Sequence, residues 1–209
     1  MNGIRDIDKF KSFTLKQLAP GDVLYRQGDA EGHVFVIASG HLKLEHLDTS
    51  GKACITAVLG AGEILGPGLT GDTFAGQTAI AKRPTDIHCF TSDTLRSLAL
   101  SEGSLLADII STLARRQAIT ERRLHAVLTL PVRGRIAVTL KDLVSVAGGQ
   151  CVHGHEVDVP LTQQELADMV GASRPVVSAE LNELRREGLL DYTRGHICIN
   201  RLDTWNQLF

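Results

Sequence analysis

The sequence predicts an α+β chain in three parts: an all-β N-terminal half, one long central helix, and a C-terminal domain in which short helices precede a β-hairpin. Three observations carry that prediction. Turn signals punctuate residues 14–91 roughly every ten positions, residues 104–130 contain neither Gly nor Pro, and Thr162-x-x-Glu165 opens two short helical patterns separated by Gly171.

In the first part the turns fall at Pro20-Gly21-Asp22, Gly28-Asp29, Ser39-Gly40, Asp48-Thr49-Ser50-Gly51, Gly60-Ala61-Gly62 and Gly66-Pro67-Gly68. Compact or alternating apolar stretches lie between them. Residues 33–37 read HVFVI, and in residues 41–47 an alternation puts Leu42, Leu44 and His46 on one face and Lys43, Glu45 and Leu47 on the other. Short strands at this spacing close into a sandwich or a barrel.

The pattern changes near Ser92, where Ser-Asp-Thr-Leu starts a short helical segment, and from about Glu102 a long helix runs to residue 130. Leu106, Ile110, Leu113, Gln117, Thr120, Leu124 and Val127 recur at alternating steps of four and three. Arginines at 115, 116, 122 and 123 flank this narrow stripe, which suits a seam shared with a second copy of the helix and predicts a homodimer. Gln117 and Thr120 put polar groups in the seam. Such groups either fix register or face a ligand, and periodicity does not choose between the two.

Pro131 ends the helix, and Ile136, Leu140, Leu143 and Val144 mark a second helical pattern over 132–147 that stops at Gly148-Gly149. Residues 150–160, with Val152, Val157 and Val159, read as a hairpin turning near Gly154 and ended by Pro160. Thr162 and Glu165 then form a capping box for a helix anchored by Leu166, Ala167 and Val170. Gly171 breaks it, Ser173 is a suitable N-cap for the next helix, and Gly188 closes that one. Two short helices joined by a Gly-containing turn are a helix-turn-helix, and residues 189–193 and 196–200 supply the strands of a wing. The expected parts are thus residues 1–101, 102–130 and 131–209.

A winged helix predicts double-stranded DNA as partner. Its candidate contacts are Thr162, Gln163 and Gln164 at the start of the first helix, then Ser173, Arg174, Val176, Ser178, Ala179, Asn182 and Arg185 on the second. Arg174 suits guanine, Ser178 and Asn182 suit base edges or phosphates, and Val176 or Ala179 suits a thymine methyl. Composition sets the limit. The 209 residues are 43% hydrophobic and carry 22 basic against 24 acidic side chains, a net charge of −2, and residues 131–209 by themselves also net −2. Positive potential is therefore expected only from Arg174, Arg185, Arg186, Arg194 and the helix N-termini, giving modest, strongly salt-dependent binding. No stretch is long and apolar enough for a membrane span or a signal peptide, so a cytoplasmic protein without a membrane partner is expected. The four cysteines, Cys54, Cys89, Cys151 and Cys198, show no C-x-x-C spacing, and reduced structural thiols are the expectation.

Several motifs in order resemble the superfamily of the cyclic-AMP receptor protein and the fumarate and nitrate reduction regulator, the Crp/Fnr superfamily of bacterial transcription regulators. They are residues 20–29 (PGDVLYRQGD), residues 34–44 (VFVIASGHLKL), Ala114-Arg115-Arg116 with Gly134-Arg135-Ile136-Ala137, and the winged helix-turn-helix. The resemblance spans about residues 18–200. It implies an N-terminal β jelly-roll of the cyclic-nucleotide-binding type, a dimerisation helix, a palindromic operator and, for an activator, contact with RNA polymerase.

The sequence departs from that family where ligands bind. Cyclic-AMP-binding members have a Glu for the ribose and an Arg-Ser pair for the phosphate; here Gly66-Pro67 and Gln77-Thr78 stand at those places. Pro67 replaces the carboxylate and Gln77 the cation, so a buried phosphate loses charge-assisted hydrogen bonds of about 1.5–3 kcal/mol each, and cyclic-AMP sensing is not expected. Thr120 matches the family's adenine contact on the long helix, leaving a degenerate pocket of Gly66, Pro67, Gln77, Thr78 and Thr120. No cysteine precedes Cys54, so an N-terminal iron–sulfur cluster is not expected either. A haem site on His33, His41, His88 or His125 has no supporting spacing, His153-Gly154-His155 lacks a third metal ligand, and His41 and His46 do not form the His-x-His of a cupin-like metal enzyme. The reading is a DNA-binding regulator and not an enzyme, either effector-independent or responsive to haem or another small ligand. Pro175 and Ala179 also replace a Glu and an Arg that read bases in many members, predicting a different operator.

Overall fold

The computed structural model describes residues 3–4, 6–30, 32–151, 154–193, 195–200 and 205. The chain forms two compact units, residues 1–117 and 118–209.

The first unit carries eight strands: β1 (Thr14–Leu18), β2 (Val23–Tyr25), β3 (His33–Ser39), β4 (Leu42–Leu47), β5 (Ala53–Leu59), β6 (Ile64–Leu65), β7 (Thr78–Ala81) and β8 (Thr85–Thr91). They form two antiparallel sheets ordered β1-β8-β3-β6 and β2-β7-β4-β5, the double-sheet arrangement of a jelly-roll. Leu18, Leu24, Phe35, Ile37, Leu42, Leu44, Leu59 and Ile87 fill the space between the sheets, and Tyr25 stacks on Phe35 at 5.7 Å. The opposite face of the first sheet is buried too. Val34, Val36, Ile64 and Phe90 pack with Phe10, Leu105 and Ile109, which is why β3 is a continuous apolar run and not an alternation. β4 does alternate: Leu42 and Leu44 are buried, while His46, beyond the core, is exposed with Nδ1 3.1 Å from the Gly76 carbonyl oxygen. Gly40 turns β3 into β4 at φ 83, and a Cβ there would lie 2.3 Å from the Pro84 carbonyl oxygen, so no other residue fits.

Two helices follow. α1 (Ser92–Ser101) is capped by Thr91, one residue before the expected start, and α2 (Gly103–Thr129) is the long helix. Leu105, Ile109 and Thr112 are buried on one face of α2, and Leu106, Ile110 and Leu113 are exposed on another.

The second unit contains α3 (Val132–Ala147), β9 (Gly148–Cys151), β10 (Gly154–Val157), α4 (Gln163–Val170), α5 (Arg174–Arg186), β11 (Leu190–Thr193) and β12 (His196–Asn200). Its buried apolar residues include Ile136, Leu140, Leu143, Leu166, Val170, Val177, Leu181, Leu184 and Ile199. Two expectations need correction here. The helix stops at Gly148-Gly149 as expected, but Gly148, extended at φ −87 and ψ 140, already begins β9, so the first hairpin starts before residue 150; Val152, expected in it, lies outside the described residues. The two hairpins share one sheet ordered β11-β12-β10-β9, in which Glu156 pairs with Cys198 and Val157 with Ile197. Finally, Cys54 and Cys89 are free thiols as expected, but Cys198 is disulfide-bonded.

Candidate nucleic-acid interface and effector region

The helix-turn-helix is built by local chemistry. Thr162 accepts a hydrogen bond from the Glu165 backbone N–H at 3.1 Å, and Glu165 Oε2 accepts one from the Thr162 N–H at 3.0 Å, so the capping box is complete. Gly171 ends α4 in the left-handed region at φ 66, which lets the chain reverse without strain. Ala167 is fully buried, and Val177 seals the opposite side of the corner. Ser173 occupies the N-cap of α5 with extended dihedrals, yet its hydroxyl makes no capping bond. The first N–H groups of α5 are thus open toward solvent beside the exposed Arg174, and Pro175 in that turn has no N–H to leave unpaired.

Along one flank of α5, Ser178, Asn182 and Arg185 follow Arg174 at steps of four, four and three. Asn182 and Arg185 are exposed and Ser178 is half-buried; Val176 is 43% exposed and Ala179 is also at the surface. On α4, Thr162 and Gln164 are exposed and Gln163 half-buried, with Gln164 Nε2 donating to Asp168 Oδ1 at 2.8 Å.

The sequence missed how much positive charge is already partnered. Arg185 Nε lies 3.0 Å from Asp191 Oδ1, and its guanidinium sits 5.8 Å from the Tyr192 ring centre. Arg186 pairs with Glu183, and Arg133 holds Glu187 through both carboxylate oxygens. The Arg133 hydrogen bond draws the Glu187 carboxyl below the usual carboxylate range. Arg194 lies outside the described residues. Of the arginines expected to carry positive potential, only Arg174 among the described residues makes no ion pair.

The seam of α2 is open. Leu106, Ile110, Leu113, Leu124 and Val127 are between 39% and 58% exposed, and Gln117 and Thr120 are also at the surface. Leu128, outside the predicted seam, is 74% exposed. Past Gln117 the helix is joined to α3 by a contact the sequence did not announce: Asp142, 3% exposed, accepts from Arg122 Nη2 at 2.7 Å and lies 3.5 Å from Arg123 Nε.

In the β-unit, Gly66 leads into a tight 3-10 turn, Pro67–Leu69, in which Pro67 is buried. Ser92 Oγ donates to the Gly68 carbonyl oxygen at 2.8 Å and ties that turn down. Gln77 is half-buried and Thr78 buried, with Thr78 Oγ1 accepting from the Gln27 backbone N–H at 3.0 Å. Thr120 belongs to the second unit. None of Gly66, Pro67, Gln77 and Thr78 is charged, so their side chains offer a phosphate no ion pair. A charge cluster does exist nearby in the sequence. Glu63, 3% exposed, is paired with Arg115, and Arg116 Nη2 donates to the Ile64 carbonyl oxygen at 2.6 Å. Burial pushes the Glu63 carboxyl up against the opposing pull of both arginines. Among the described residues no group of three or more His, Cys, Asp or Glu side chains is placed to hold a metal ion, and no single helix is long and apolar enough to cross a membrane.

Comparison with known proteins agrees with this geometry. Residues 15–102 match the cyclic nucleotide-binding domain and residues 134–205 the Crp-like helix-turn-helix domain. The chain is 27% identical over 180 residues to the CRP-like cAMP-activated global transcriptional regulator of Mycobacterium tuberculosis, covering 83% of this chain and 80% of that protein. Among solved structures it resembles a mutant of CooA from Carboxydothermus hydrogenoformans, with a TM-score of 0.80, 18% identity, and coverage of 98% of this chain and 94% of that one. It also resembles a CRP-family transcriptional regulator from Thermus thermophilus, with a TM-score of 0.77, 20% identity, and coverage of 92% and 95%. The relatives are transcription regulators and not enzymes, and with a jelly-roll, a long helix and a DNA-binding helix-turn-helix in this order the chain belongs to the Crp/Fnr superfamily of transcription regulators.

Proposed function

We propose that the chain is a homodimeric, sequence-specific transcription regulator that reads a palindromic operator with α5 and does not use cyclic AMP as its effector. The observation that carries the DNA reading is the start of α5: an exposed Arg174 with no ion pair beside uncapped backbone N–H donors, a pairing suited to an acceptor-rich groove edge. Thr162, Gln163 and Gln164 would meet the DNA backbone, and Ser173, Val176, Ser178, Asn182 and Arg185 would line the groove beside Arg174. The exposed seam of α2 supports a dimer, which would set the half-site spacing. The division of labour is an effector-type domain at 1–101, a dimerisation helix at 102–130 and a DNA-binding domain at 131–209, in the cytoplasm, with RNA polymerase as partner if the regulator activates.

The rejection of cyclic AMP is supported by the uncharged phosphate region of Gly66, Pro67, Gln77 and Thr78. Two measurements test the reading. Selection from random duplexes should return a palindrome, and Arg174→Ala should weaken binding to it by about tenfold or more, as expected for a base contact of about 1–3 kcal/mol. Unchanged binding by that variant would refute α5 as the reading element. Titration calorimetry with cyclic AMP should show no binding at micromolar concentrations, and micromolar affinity would refute the effector reading.

A further inference from the structure

We propose that Tyr192, on the first strand of the wing, fixes which base feature Asn182 reads. This rests on α5 being the recognition helix. The Tyr192 hydroxyl donates to Asn182 Oδ1 at 2.9 Å. Tyr192 is in turn braced by Arg185, whose guanidinium lies 5.8 Å from the ring centre and whose Nε is held 3.0 Å from Asp191 Oδ1. The wing strand β11 thus supplies two adjacent residues, Asp191 and Tyr192, that set the last two polar side chains on the flank begun by Arg174 and Ser178.

The consequence follows from the chemistry of an amide. Asparagine reads adenine by presenting its oxygen and its nitrogen side by side, accepting from the base amino group and donating to N7. Here the oxygen is turned to the wing by the Tyr192 hydroxyl. What Asn182 offers away from the wing is its N–H2, a donor only, and its target is an acceptor: adenine N7 and thymine O4 are single acceptors, so the best match is guanine, with O6 and N7 side by side, or a phosphate oxygen. With the oxygen facing the wing, adenine is disfavoured as a two-bond partner at this position. Tyr192 is a positioning residue and acts on DNA through Asn182. Neither side chain contributes charge, so the device sets preference with no addition to the protein's small positive surface.

The experiment compares the full-length wild type with Tyr192→Phe, Asn182→Ala, the double variant and Arg174→Ala, by selection from duplexes randomised across the half-site and by titration of the selected site. Tyr192→Phe keeps the ring and removes only the donor. It should bind the selected site about threefold to tenfold more weakly, the range of one hydrogen bond, and should newly accept adenine at a single position if the acceptor is a base. In the Asn182→Ala background the same change should have no effect, which a structural role of Tyr192 in the wing would not produce. If the acceptor is guanine, Asn182→Ala abolishes a guanine preference at one position; if it is phosphate, the variant weakens all sequences alike. A wild-type preference for adenine that Asn182→Ala abolishes would overturn the proposal, as would a Tyr192→Phe effect of equal size in both backgrounds. Those outcomes, with Arg174→Ala still defective, would leave α5 as the reading element. Wild-type binding by both Arg174→Ala and Asn182→Ala would instead overturn that underlying reading.

Discussion

His88 shows how a single residue escapes sequence reasoning. It stands on β8 with no motif around it, and the sequence offers it only as one of several lone histidines. In the fold it is 5% exposed, with its ring 6.3 Å from that of Phe10, and desolvation holds the imidazole below its ordinary value of 6.5. The folded chain therefore refuses a proton that the unfolded chain accepts. Stability is fully present above 6.5 and is lost as pH falls below it toward the depressed folded value. The thermal midpoint of the wild type should drop between about pH 7 and about pH 5.5, and that of His88→Leu should drop less over the same interval. Parallel curves for the two proteins would refute this account. Glu63 and Asp142 were equally silent: a carboxylate in a strand-like or helical pattern reads as solvated, and only packing shows that each is buried against arginines from α2. Thr162 and Glu165 are the opposite case, because a capping box is a contact between residues three apart and is written in the spacing.

At the level of elements, α2 was the most legible and carries the sharpest test. Its length, its lack of Gly and Pro, and the steps of its apolar residues gave both the helix and the seam, since these are local properties of a 3.6-residue repeat. The buried Leu105 and Ile109 beside the open Leu106 and Ile110 divide the helix between a domain face and a free face. If a second copy covers the free face, a carboxylate at its centre is intolerable. Ile110→Asp and Leu124→Asp should each shift the protein from dimer to monomer in light scattering while its circular dichroism stays helical. A wild type that is already monomeric at micromolar concentration would dispose of the homodimer. The C-terminal sheet was less legible. Both hairpins were read from their turns, but their union through β10 and β12 joins residues about forty apart, and strand alternation does not name a distant partner.

Over the whole molecule, the net charge of −2 frames DNA binding as a matter of which cations remain unpaired. Arg185 and Arg186 each have a carboxylate beside them, so fewer phosphates are neutralised than the arginine count implies. The salt dependence is thereby expected to be shallower than the sequence suggests, and it is adjustable. Asp191→Asn should release Arg185, tighten binding at low salt and steepen the slope of log affinity against log salt by about one unit per half-site. An unchanged slope would show that a released Arg185 does not reach the DNA. The amino-acid sequence by itself determined the order of elements, the capping box of the helix-turn-helix, the apolar stripe of α2 and the lack of charge at Gly66, Pro67, Gln77 and Thr78, because helix periodicity, caps and turn residues act over a few positions. Only the tertiary structure decided which charges are buried or neutralised, which strands share a sheet, and that Asn182 answers to Tyr192. Those outcomes depend on side chains brought together from distant parts of the chain, where desolvation and pairing, and not local propensity, set the energy.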